Sequence, residues 1–176
     1  MKKLLMATGF LCAAMIGLSA SATAPANFAG TWVLDKGKSE LPQQMAANVE
    51  SITWMITQDD KELTIKPDVK AGGGGGGGRP GMMNQPQTYK LDGSETTSDV
   101  NFGQASGKAT RKAKWTNDGK NLELNTVTNL DFNGNAVTIT SIQHLELAEG
   151  GKVLKAHSTT ESPRGTQESK MVFNKQ

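Results

Sequence analysis

The segment Trp115–Leu122 (W-T-N-D-G-K-N-L) places an Asp-Gly pair between two runs of alternating residues. A two-residue type I′ turn needs positive φ at both central positions, which Gly adopts without steric cost, so the pair predicts a hairpin turning at Asp118-Gly119. In that register Trp115 faces Leu122 and Ala113 faces Leu124, while Lys114 faces Glu123 on the other side. One face is apolar and the other carries an opposite-charge pair, as a half-buried antiparallel ribbon requires. Related reversals recur at Asp59-Asp60, Asp92-Gly93 and Gly150-Gly151. They fall on alternate connections, so in a meander they mark one end. The 68–86 stretch, the Asn101–Gly107 loop, Asn133-Gly134 and Pro163-Arg164-Gly165 mark the other.

The fold class predicted from this pattern is all-β: a single antiparallel up-and-down β-barrel of about eight to ten strands, because closure removes exposed edges. The first strand is N-F-A-G-T-W-V-L, from Asn27 to Leu34. One short helix follows, capped by Ser39, with Pro42 in its first turn and an end near Val49. The remaining registers follow from the turns. Asp59-Asp60 sets Ile56 opposite Leu63 and Trp54 opposite Ile65, and Asp92-Gly93 sets Tyr89 opposite Thr96 and Lys90 opposite Glu95. Asn133-Gly134 sets Leu130 opposite Val137, and Gly150-Gly151 sets Leu147 opposite Leu154 and Glu146 opposite Lys155.

Residues 1–24 stand apart from this pattern. Lys2 and Lys3 precede a mostly apolar run from Leu4 to Leu18, and Ala22-Thr23-Ala24 fits a cleavage site, so this is a secretory signal peptide of bacterial type. The mature domain is then residues 25–176, and the expected location is periplasmic or secreted. The single cysteine, Cys12, lies in the signal, so the mature chain has no disulfide or thiolate chemistry. Without Lys2 and Lys3, 17 basic residues balance 17 acidic ones, which argues against a nucleic-acid partner. A membrane barrel is also disfavoured, since Lys112, Lys114, Glu123, Thr138, Thr140, Glu146 and Lys155 would face lipid. The seven glycines Gly72 to Gly78 order only at high entropic cost, so 68–86 reads as a flexible Gly-rich loop.

Stacking the inward residues gives a graded interior. Leu147, Leu154 and Phe173 form one layer, and Leu91, Trp115, Leu122, Leu145, Ala156 and Met171 the next. Above them the inward positions turn polar: Tyr89, Thr96, Gln143, Ser158 and Ser169, with Ala113 and Leu124 among them. The highest layer is Gln87, Ser98, Arg111, Thr126, Ser141, Thr160 and Gln167. Such a belt either lines a solvated mouth or forms the polar end of a ligand cavity, with Arg111 meeting an anionic or carbonyl head group. On the second alternative the candidate ligand-binding residues are Arg111, Tyr89, Gln87, Ser98, Thr126, Ser141, Gln143, Ser158, Thr160 and Gln167.

Other chemistry finds little support. His144 and His157 face each other on the outer side of one hairpin and are candidate metal ligands, but zinc sites use three or four. Met82-Met83 lacks a neighbouring His or Cys for copper. Gly103 to Lys108 has neither the spacing nor the helix of a phosphate loop. No H-E-x-x-H or G-x-S-x-G occurs and no inward histidine can activate a serine, so no catalytic residue, metal or cofactor is assigned and an enzyme is not expected.

The Phe28, Gly30, Thr31 and Trp32 pattern resembles the opening of the calycin superfamily, where lipocalins carry G-x-W and fatty-acid-binding proteins F-x-G-T-W. The resemblance implies a lipocalin-like antiparallel barrel, Trp32 packed across its closed end, and a small apolar or amphipathic ligand. It extends to the exported lipocalin-like domains of bacteria. The chain departs from the pattern in lacking T-D-Y, in offering only Lys170 and Lys175 as bases near the last strand, and in having too short a first connection for paired helices. The expected protein is a monomeric, exported, non-catalytic barrel for a partly apolar ligand with a polar or anionic head. The alternative is an envelope interaction or structural module with a filled barrel and an outer patch at Met55, Val127 or Ile142.

Overall fold

A computed structural model of the chain describes residues 24–72, 84–103, 105–132 and 134–176. Residues 1–23 of the expected signal segment 1–24, residues 73–83 of the Gly-rich stretch with Met82-Met83, Gln104 and Asn133 lie outside the described residues. Ten antiparallel strands follow one another around a single sheet. They are β1 (Gly30–Leu34), β2 (Val49–Gln58), β3 (Glu62–Ala71), β4 (Gln87–Lys90), β5 (Thr96–Phe102), β6 (Ala105–Thr116), β7 (Asn121–Phe132), β8 (Asn135–Ala148), β9 (Val153–Ser162) and β10 (Gly165–Lys175). β1 pairs with both β2 and β10, which rolls the meander into the barrel that its alternation requires.

The Asp118-Gly119 hairpin has the expected register: Trp115 pairs with Leu122, Ala113 with Leu124 and Lys114 with Glu123. Asp118 and Gly119 both have positive φ, and the Lys120 amide donates to the Asn117 carbonyl, closing the turn. The Asn133-Gly134 and Gly150-Gly151 registers also stand as expected, and His144 lies opposite His157.

Four local expectations are corrected. The β2–β3 register is displaced by two residues: Ile56 pairs with Ile65 and Trp54 with Pro67. The cause is Asp59, whose carboxylate accepts the Lys61 and Glu62 amides and so sits before the turn instead of within it. A two-residue slip keeps every side chain on its face. The proposed β4–β5 hairpin does not form: β4 and β5 are the two free ends of the sheet, linked by the Thr96 hydroxyl donating to the Thr88 carbonyl. The Asp92 carboxylate instead holds the Ser94 amide and hydroxyl, and the strands diverge beyond it.

Third, the helix α1 is Gln43–Asn48, with Pro42 at its N-cap. Ser39 does not cap it; its hydroxyl donates to the Asp35 carbonyl and accepts the Val172 amide, stitching the exit of β1 to β10. Fourth, two loops are shorter than expected. Residues 68–71 belong to β3, and Phe102 pairs with Ala105 across a tight reversal. Gly107 lies in β6 because β7 runs too close for a side chain: a Cβ there would overlap the Asn129 carbonyl oxygen.

The closed end is capped by the segment before β1. The Ala26 amide donates to the Gly119 carbonyl, while Gln58 grips the segment through the Phe28 amide and the Ala26 carbonyl. Phe28 and Trp32 are wholly buried, and the Trp32 indole N–H donates to the Phe28 carbonyl at 2.9 Å. The Lys175 ammonium lies 5.1 Å from the Trp32 ring, so a lysine on the last strand supplies the cation over the tryptophan. Above this cap Leu63, Leu122, Leu145, Leu154 and Phe173 leave no solvent-exposed surface, and the Trp54 and Phe173 rings lie 4.3 Å apart. The lower half of the barrel is therefore a packed core.

Candidate ligand cavity

Alternation carries the inward face upward from that core, and the side chains change character where the sequence does. A cavity of about 210 Å³ opens directly above Trp54. Its apolar wall is Trp54, Ile65 and Pro67 from β2 and β3, with Val100 and Leu124 opposite. Its polar wall is Gln87 and Tyr89 on β4, Arg111 on β6, Thr126 and Thr128 on β7, and Ser141 and Gln143 on β8, with Gln85 preceding β4. The cavity thus lies behind the β4–β5 seam.

Arg111 dominates its electrostatics. The side chain is only 6% exposed, although guanidinium stays charged at any accessible pH. Nη1 donates to the Ser98 hydroxyl at 2.7 Å. Nε has no hydrogen-bond partner, and it is the one buried side-chain nitrogen or oxygen so placed among the described residues. No carboxylate forms an ion pair with Arg111 among the described residues. Native proteins rarely tolerate a buried cation without an anion.

Beside it, the Tyr89 hydroxyl donates to the Gln87 side-chain carbonyl at 2.9 Å and shares a 2.9 Å hydrogen bond with the Thr126 hydroxyl. Burial pushes the Tyr89 pKa up, and the Thr126 hydrogen bond together with the charge and hydrogen bond of Arg111 pull it only partly back. Tyr89 is therefore a neutral donor across the physiological range.

Of the ten candidate residues, the fold brings Arg111, Tyr89, Gln87, Thr126, Ser141 and Gln143 to this cavity. Ser98 touches it only through Arg111, because β5 is offset by two residues: Thr96, not Ser98, is the pairing partner of Arg111. Ser158, Thr160 and Gln167 are not part of its lining. Thr160 donates to the Ser141 hydroxyl, and Gln167 is exposed, because β1 pairs with β10 only at residues 173–175 and cannot enclose the upper ribbon. Of the wall residues outside the candidate set, Thr128 is one step further along the β7 alternation and was accessible to pattern reasoning. Gln85 lies in a connection and Pro67 depended on the shifted register.

The histidine pair is exposed on the outer face, with Nδ1 of His144 3.9 Å from a Glu123 carboxylate oxygen. Among the described residues no three His, Cys, Asp or Glu side chains gather as a metal site. No helix among the described residues is long and apolar enough to cross a membrane.

No family model matches this sequence, and no curated protein matches it. The crystal structure of zebrafish ileal bile acid-binding protein complexed with cholic acid aligns with 85% of this chain and 98% of its own, at 18% identity and a TM-score of 0.46. The barrel described above stands on its own strand pairing.

Proposed function

We propose that this chain is an exported, non-catalytic binding protein whose barrel holds a small, partly apolar molecule with a polar or anionic head group. One observation carries the reading: a buried, charged Arg111 that lines the cavity and has no carboxylate ion pair among the described residues. An apolar pocket with a few convergent polar groups is the usual form of a small-molecule site. A bound anion would neutralise that charge. Export rests on the Lys2-Lys3 start, the apolar run and the Ala22-Thr23-Ala24 site.

The interaction-module alternative has less to recommend it. Met55 is exposed on β2, whereas Val127 and Ile142 lie on β7 and β8 and are half-buried, so the three do not share neighbouring strands. Native mass spectrometry of the chain purified from its own host tests the choice. A bound small molecule that disappears in Arg111→Leu is expected. A bare chain in both, or a bound polypeptide, would sink the reading.

A further inference from the structure

The shape of the space around Arg111 says more about the ligand than its charge does. Resting on the binding role proposed above, we propose that the cavity selects a compact carboxylate, a single ring or a short branched chain, gripped by the Arg111 guanidinium. Long-chain amphiphiles are excluded.

Three features lead there. First, the guanidinium is already anchored. Nη1 is held by Ser98, and the Tyr89 hydroxyl also hydrogen-bonds the guanidinium. The planar fork of a guanidinium offers a carboxylate paired N–H donors, which a point charge cannot do.

Second, the space is small. About 210 Å³ is below the roughly 300 Å³ at which drug-sized sites begin. Nor can a chain continue downward. The Trp54–Phe173 ring pair and the wholly buried Leu122, Leu145 and Leu154 fill the barrel beneath. A long acyl tail would have to displace close-packed core or leave through the mouth into water.

Third, one wall of the cavity is apolar, made by Trp54, Ile65 and Pro67, and Tyr89 stands on the adjoining strand as a buried neutral hydroxyl. A ring resting on that wall shares the cavity with the Arg111 guanidinium.

The experiment is a calorimetric titration of the full chain with benzoate, benzyl alcohol and dodecanoate, repeated in Arg111→Lys. Benzoate should bind at least ten-fold more tightly than benzyl alcohol, and dodecanoate should bind no more tightly than benzoate. Arg111→Lys, which keeps the charge and loses the fork, should weaken benzoate at least ten-fold.

The failures separate. Dodecanoate binding more tightly than benzoate overturns the size limit and leaves the head-group role intact. Equal benzoate affinity in Arg111→Lys overturns the paired grip by the guanidinium. Equal affinity for benzyl alcohol and benzoate, or binding of none of the three, overturns the anionic-head reading itself and this inference with it. Tyr89 is the chain's only tyrosine, which gives a second readout. Benzoate neutralising Arg111 should move the ultraviolet phenolate titration to still higher pH, and an unmoved titration would place benzoate elsewhere.

Discussion

The two halves of this barrel are built from the same alternating strands and do opposite things with their interiors. Below, Phe28, Trp32, Leu145, Leu154 and Phe173 belong to one packed core in which the indole N–H of Trp32 is hydrogen-bonded. Above, the same strands present Arg111, Tyr89, Thr126, Ser141 and Gln143 around empty space, and one buried donor goes unanswered. The lower half is optimised for stability. The upper half holds a charge that costs stability unless something outside the chain neutralises it. Localised strain of this kind is expected where a fold reserves a site.

Three substitutions test that division. The largest effect belongs to the floor. Trp32→Ala removes a wholly buried ring, its hydrogen bond to Phe28 and its contact with Lys175, and should cost about 3–5 kcal/mol in urea unfolding. A loss under about 1 kcal/mol would mean that the cap is not part of the core.

Arg111→Met should behave in the opposite way. Replacing an uncompensated buried cation with an apolar side chain of similar length should leave the ligand-free protein as stable or more stable by about 1 kcal/mol. Marked destabilisation would show that Arg111 is a structural residue and that the halves do not differ as described.

A comparably small effect is expected at the boundary. Tyr89 has its pKa raised in the fold, so its protonated form is favoured there. That stability is fully present below the ordinary tyrosine value of about 10 and is lost as pH rises through the higher folded value. Tyr89→Phe should lose about 1 kcal/mol at neutral pH through its hydrogen bonds to Gln87 and Thr126. It should also remove part of the alkaline fall in stability, read as the difference between the two pH profiles. Identical slopes would show that the hydroxyl is solvated.

Much of the architecture was legible in the chain because β-structure writes its rules locally. Asp118-Gly119 and Gly150-Gly151 each determine a register through backbone geometry confined to a few residues, and that register places Leu122, Leu145, Leu154 and Arg111 on one face. Where a side chain intervened in the turn, local reading slipped. The Asp59 carboxylate moved its reversal by one residue and the register by two, and the Asp92 carboxylate closed its own turn while β4 and β5 parted.

Alternation alone determined which residues point inward, including the change from apolar to polar along β6, β7 and β8, because it depends only on the two-residue period of a strand. It could not determine which inward residues share a cavity. That depended on how far β1 encloses β10, on the offset of β5 that gives Arg111 to Thr96 as pairing partner and Ser98 as hydrogen-bond partner, and on the seam where the sheet ends. Those are distances between strands remote in sequence, set by curvature and closure of the whole sheet, and only the folded barrel has them.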